Sequence, residues 1–207
     1  MKKILSLVVL CVAILGVGTA NAQSSSKWGV VAGADISTLN FDQDLFKVDK
    51  NVGATLGVMG ELMMPGIGFG FDASLLYTQK GAKLHLGERP IWEVQGYGKE
   101  NCMLHYLEIP IHLKFKFKNL GGFENTLMPM LFVGPEFSFL LAHSGIDAIK
   151  FPGGEFGLDM GLGCEILRKF QVNLSYCIGM SYAVKTKLLD DFTARNRTYK
   201  LTFTYLF

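Results

Sequence analysis

Long hydrophobic runs are scarce in this sequence, and after Gln23 none approaches the roughly 20 residues that a helix needs to cross a bilayer. A helical membrane protein is thereby excluded for that stretch, and any passage through lipid has to use strands. Cysteine is sparse too. Beyond the first 22 residues only Cys102, Cys164 and Cys177 remain, an odd number without paired spacing, so neither a disulfide framework nor a zinc site is indicated. An excess charge of either sign is also missing. Setting aside Lys2 and Lys3 leaves 18 basic and 18 acidic residues, which offers no basic field for nucleic acid.

The opening "MKKILSLVVLCVAILGVGTANAQ" is the exception to the shortage of apolar runs. Two lysines precede an apolar stretch from Ile4 to Val17, and Ala20-Asn21-Ala22 follows as a small-x-small cleavage pattern. This reads as a secretory leader, residues 1–22, cut before Gln23, with residues 23–207 forming one exported domain. The run is too short for a transmembrane anchor.

What the chain has in abundance is alternation with period two, repeated about eight times. In "YLEIPIHLKFKF" the residues Leu107, Ile109, Ile111, Leu113, Phe115 and Phe117 alternate with Tyr106, Glu108, Pro110, His112, Lys114 and Lys116. "KWGVVAGADIST", "NVGATLGVMGELMM", "FGFDASLLYTQK", "MPMLFVGPEFSFLL", "EFGLDMGLGCEI", "FQVNLSYCIGMSY" and "RNRTYKLTFTYLF" follow the same design. Connections at about 38–50, 81–102, 142–154 and 183–194 are long, Pro65–Gly68 and Leu167–Lys169 are tight, and 119–127 is intermediate. This rhythm predicts an all-β fold, an eight-stranded antiparallel up-and-down transmembrane β-barrel with short periplasmic turns, longer outer loops and both termini periplasmic.

Alternation does not by itself say which face is outside, because a soluble barrel that carries a small apolar ligand alternates as well. Volume decides. An eight-stranded barrel has an interior just wide enough for side chains. The bulky apolar set would overfill it, whereas the other set, rich in Gly, Ser and Thr, fits. Trp28, Tyr77, Tyr182, Tyr199 and Tyr205 fall near strand ends on the apolar face, where an aromatic girdle belongs. The last strand ends in Phe207 with Phe203 and Tyr205 in register, a pattern suited to the barrel assembly machinery. Outer-membrane lipid is thus the expected surrounding. Pro110 and Pro135 fit this scheme worst: each removes a ladder donor and is expected at a bulge or irregular pairing.

A hairpin closed by "PGIG" sets Glu61 opposite Asp72, both inward, and the two carboxylates repel unless a cation or proton intervenes. The strand through His112 delivers Lys114 and Lys116 to the same end. A lumen network of Glu61, Asp72, Lys114 and Lys116 is expected, with Glu165 and Lys200 joining from the other wall. Glu108, His112, Glu136 and Asp159 are further inward-facing members. Such paired charges fill small barrels and fix their register, a structural role rather than a catalytic one.

Chemistry has few other footholds. "GIGFG" and "GLGCE" lack the full spacing and following helix of a nucleotide loop, so no cofactor is expected. His105, His112, His143 and Ser144 raise the possibility of a lipid hydrolase or acyltransferase, but no partner carboxylate is placed by spacing. The expectation is therefore a non-enzymatic protein with no catalytic, cofactor or metal residues. The loop "GAKLHLGERPIWEVQGYGKEN" carries Ile91, Trp92, Val94 and Tyr97, which serve either as a partner site or as strand that covers itself above the membrane.

Through "YLEIPIHLKFKF", "FVGPEFSFLL", "GLDMGLGCEI" and "YKLTFTYLF", the chain resembles the PorT-like family of outer-membrane β-barrel proteins over nearly its whole exported length. The Tyr-Leu-Glu-Ile-Pro segment, residues 106–110, is the most specific of these. The resemblance implies an eight-stranded barrel, and some members are associated with protein secretion by the type IX system. It supplies no catalytic residues, and it includes both prolines. A structural, adhesive or secretion-associated role exercised through the outer loops is the reading that follows.

Overall fold

The computed structural model describes residues 25–41, 48–85, 99–118, 121–122, 126–144, 149–150, 153–181, 184–186 and 193–207. Eight long strands, β1 (Ser25–Phe41), β2 (Val48–Met63), β3 (Phe69–His85), β4 (Lys99–Lys116), β5 (Leu127–His143), β7 (Gly154–Ile166), β8 (Phe170–Gly179) and β10 (Thr193–Leu206), pair antiparallel in that order. β10 pairs back onto β1 and closes the barrel, with Asp35 opposite Lys200 and Ala32 opposite Phe203. The closure extends to the last residue, where the Phe207 amide donates to the Trp28 carbonyl at 2.8 Å. Two short strands, β6 (Ile149–Lys150) and β9 (Val184–Thr186), hang from the outer part of β10 as a flap. Residues 1–24, which take in the stretch 1–22 expected to be a leader, lie outside the described residues.

Period-two side-chain alternation sorts the residues into two environments. On β4, Glu108, His112, Lys114 and Lys116 are buried, while Ile111 and Leu113 are exposed. The outer face of every long strand carries exposed apolar side chains, among them Val58, Phe71, Leu131, Leu162, Leu174 and Phe203. A continuous apolar belt of this kind far exceeds the few hundred Å² that a water-soluble protein exposes, so lipid is its solvent. The bulky face points outward, which overturns the soluble ligand-carrier alternative. Aromatic contacts bracket the belt. Phe69, Phe115 and Phe117 touch in sequence near the short turns, and Tyr176 stacks on Tyr199 at 4.6 Å farther up. Tyr182 lies outside the described residues.

The strands are longer than the alternation suggests. Residues 38–41, 48–50, 81–85 and 99–102, where the alternation predicts loops, lie in strands, and Lys50 pairs with Ala82 and Ala82 with Cys102. Beyond the bilayer the outer face meets water instead of hydrocarbon and no longer has to be apolar, while the inner face, with Ala82 and Cys102, stays buried, so the polar-apolar alternation fades although the backbone ladder continues. For the same reason Tyr77 and Tyr199 sit within their strands rather than at the ends, marking the edge of the membrane instead.

The prolines cause no bulge. The register shifts lie elsewhere, between Lys50 and Thr55 on β2 and between His105 and Tyr106 on β4. At Pro110 and Pro135 the ladder lapses in register: no pairing joins Ser74 to Pro110 or Ile111 to Pro135, and the flanking pairs keep their alignment. Beside them, Gly134 lies so close to β4 that an added Cβ would meet the Ile111 carbonyl oxygen at 1.9 Å. At the β2–β3 hairpin the Met64 amide donates to the Phe69 carbonyl at 2.8 Å, and Gly66 and Gly68 supply φ of 85° and 77°.

Candidate functional site

The lumen is filled by two polar networks and an apolar cluster. Val31, Met59, Leu76 and Leu206 pack together on the β1–β2–β3–β10 side, and Phe132 lies 4.9 Å from the His112 ring. The interior is thus less purely polar than the inward set of small residues suggested.

The first network begins at the short-turn end. Glu61 and Asp72 are register partners, and both are buried. Lys114 Nζ lies between them, 3.0 Å from Glu61 Oε2 and 2.8 Å from Asp72 Oδ2, so the repulsion between the carboxylates is offset by an amine. Lys116 pairs with both Glu61 and Glu165, and Lys27 reaches Glu165 Oε1 at 2.6 Å. Gln171 donates to Glu61 at 2.9 Å and to Glu165 at 3.2 Å. From Asp72 the chain continues to His112, whose Nδ1 is 2.9 Å from Asp72 Oδ1 and whose Nε2 is 3.3 Å from Asp159 Oδ2.

The second network is a ring. Lys200 Nζ lies 2.6 Å from Glu108 Oε2 and 2.6 Å from Glu136 Oε2, while Lys80 pairs with the same two carboxylates. These four side chains come from β10, β4, β5 and β3, and none is more than 2% exposed. Thr78 donates to Glu108 at 2.9 Å. Above the ring Tyr106 donates to Glu155, which also accepts from Asn196 Nδ2 at 2.8 Å.

All ten inward residues named from the sequence therefore line the lumen, but Lys200 does not join the Glu61 network. Its register partners are Asp35 on β1 and Ser175 on β8, too far up the wall to reach Glu61. Lys80, Lys27, Glu155 and Gln171 join these networks in addition to the residues expected from the sequence. Lys80 and Gln171 carry the signal that found the others, an inward parity within an alternating strand. Glu155 lies beside Gly154 at the start of β7, where alternation is weakest. Ile91, Trp92, Val94 and Tyr97 lie outside the described residues.

The arrangement fills the lumen with paired charges. Both ring nitrogens of His112 face carboxylates, which leaves neither to accept a proton from a hydroxyl nucleophile. On the outer face His105 Nδ1 contacts the Tyr77 hydroxyl at 2.7 Å, and the Ser144 hydroxyl accepts from the Met103 amide at 3.0 Å. Among the described residues no group of His, Cys, Asp and Glu has metal-binding geometry.

Solved structures with this architecture are outer-membrane barrels. The crystal structure of the outer membrane protein OprG from Pseudomonas aeruginosa is similar at a TM-score of 0.53 and 12% identity, over 89% of this chain and 97% of that one. Ail, the attachment invasion locus protein of Yersinia pestis, aligns at a TM-score of 0.46 and 14% identity, over 88% and 99%. The outer membrane enzyme PagL aligns at 0.49 and 12%, over 85% and 98%. At such identities the likeness is one of fold. A comparison with curated proteins finds no match in sequence. The family model for the outer membrane protein beta-barrel domain matches residues 21–183, and the chain belongs to that family, which places it in the outer membrane of a Gram-negative bacterium.

Proposed function

We propose that this protein is a non-enzymatic barrel that presents its long connections outside the cell as a structural, adhesive or secretion-associated surface, with the short-turn end and both termini in the periplasm. The observation that supports this most is the sealed lumen. The Lys80–Glu108–Lys200–Glu136 ring crosses from β3 to β10 inside an eight-stranded wall, leaving no room for a diffusion pathway. Function then falls to what the wall carries, which is the extended strands β1 to β5 and the connections above them. Removal of residues 1–22 on export and delivery by the barrel assembly machinery through the strand ending at Phe207 belong to the same reading.

The finer assignment, a PorT-like component associated with the type IX system, draws on the resemblance at residues 106–110. In the barrel that segment has a physical purpose: Tyr106 binds Glu155, Glu108 is a corner of the ring, and Pro110 sits at a lapse of the ladder. A partner, protein or surface glycan rather than nucleic acid, would be met by Ile91, Trp92, Val94 and Tyr97.

The test replaces residues 88–97 by a Gly-Ser linker and measures three things in cells: barrel assembly, surface adhesion and the amount of secreted protein. Unchanged assembly with loss of adhesion or secretion is the expected outcome. A variant that assembles and retains both would overturn the loop reading. Thiol labelling of intact cells, with Ile67→Cys at a short turn and Glu93→Cys in the long loop, checks orientation. Only the loop thiol should react with an impermeant reagent.

A further inference from the structure

One buried carboxylate belongs to neither ion-pair network. Asp35, on the inward face of β1, is 1% exposed and has Lys200 as its register partner, but the Lys200 amine is held by Glu108 and Glu136. Around the ring the described residues place four buried carboxylates, Asp35, Glu108, Glu136 and Glu155, against two buried amines, Lys80 and Lys200. Glu155 is held by donors from Tyr106 and Asn196. Asp35 has no comparable support. Its Oδ2 has no hydrogen-bond partner, and its Oδ1 meets the Thr55 hydroxyl at 3.3 Å, long for an O–H···O bond. A carboxylate kept out of water without donors or a countercharge is costly.

The oxygens beside Asp35 face it as acceptors. Thr78 donates its hydroxyl proton to Glu108, so the 3.3 Å contact between Thr55 and Thr78 takes the proton of Thr55 and leaves a Thr55 lone pair toward Asp35. β2 breaks register between Lys50 and Thr55, and Gly53, in that break, is the β2 partner of Asp35. A Cβ on Gly53 would meet Asp35 Oδ2 at 2.7 Å, Asp35 Oδ1 at 2.9 Å and the Gln79 carbonyl oxygen at 1.8 Å. Three oxygens thus converge on the place where any other residue would carry its side chain, and Thr55 Oγ1 lies beside them. Acceptors gathered in this way call for a positive charge among them. We propose that the irregularity of β2 holds one alkali cation, sodium or potassium, bound by the Asp35 carboxylate, the Gln79 carbonyl and the Thr55 hydroxyl. Oxygen ligands suit a hard cation, and a single carboxylate matches a single charge. The ion offsets the charge of Asp35 and ties β1, β2 and β3 together where the β2–β3 register is broken.

The test uses the purified full-length protein refolded in a neutral detergent. Urea midpoints are measured at one pH while sodium chloride or potassium chloride replaces N-methyl-D-glucamine chloride stepwise, so that ionic strength and screening stay constant. The midpoint should rise as the alkali cation replaces the organic one, and the salt that acts at lower concentration identifies the ion. Asp35→Asn keeps the shape of the side chain without its charge and should give one midpoint in all three salts. Thr55→Val leaves the carboxylate in place and should need about tenfold more of the ion for the same rise. Heat-modifiable electrophoretic mobility checks that each variant is folded. Equal midpoints of the parent in the three salts overturn the inference, because a proton on Asp35 then supplies the missing charge. A rise that survives Asp35→Asn overturns it as well, and so, should that variant not fold, does a rise that Thr55→Val leaves unchanged.

Discussion

The two lumen networks are both built on lysines held between carboxylates, but in different topologies. The Glu61 network is an open chain running from Lys27 to Asp159, and its first member keeps a side chain 25% exposed at the mouth. The Lys80–Lys200 network is a closed ring in which each carboxylate lies between the same two amines, sealed from water. An open chain with a wet end and a bridging Gln171 has substitutes when a link is lost. A closed dry ring has none, because removal of one amine leaves two carboxylates to share the other. The ring therefore fixes which strands stand opposite each other, and the chain tolerates change.

That difference is testable by unfolding the refolded barrel in lipid vesicles with urea. Lys200→Met leaves Glu108 and Glu136 dependent on Lys80 alone and should cost about 3–5 kcal/mol. A loss below about 1 kcal/mol would show that the ring is no tighter than an exposed pair and would break the comparison. A charge on the other face of β4 gives the scale. Leu113→Arg, between His112 and Lys114 in sequence but exposed to lipid, should cost roughly 2–4 kcal/mol near the bilayer midplane. Lys116→Met should cost about 1–3 kcal/mol, because Lys114 still serves Glu61 and Lys27 still serves Glu165. If Lys116→Met proved as damaging as Lys200→Met, the distinction between chain and ring would fail.

The wall was legible because one face of each strand meets hydrocarbon, and a period of two is then written into every residue. The Glu61–Asp72 pairing followed from one hairpin, since the length of the "PGIG" turn fixes the register. The split into two networks was not legible. It depends on how far each strand is staggered around the barrel, and stagger sums over eight pairings of which the sequence specifies only the tight turns. Lys200 was displaced from its expected partners for that reason. The strand extensions stayed hidden because their ladder bonds are made by backbone, which leaves no mark on side-chain polarity. Of the two expectations for the prolines, a bulge or an irregular pairing, the second is what the barrel shows, because the ladder can drop a bond and keep its alignment.

The smallest effect separates the hairpin turn from the network beside it. Leu167 and Arg168 close β7 to β8, both left-handed, where Asn and Gly are favoured. The Leu167 side chain is 58% exposed, so the residue brings backbone strain without compensating burial. Leu167→Asn keeps the turn, keeps the Arg168 carbonyl that Lys27 binds, and relieves part of the strain, so the urea midpoint should rise by an amount equivalent to about 1 kcal/mol. Combined with Lys116→Met, the gain should add to the loss without interaction, because among the described residues the two share no hydrogen-bond or ion-pair partner. A gain that vanished in the Lys116→Met background would mean that turn and network hold each other in place. The open chain would then be as closed as the ring, with the turn as its missing link.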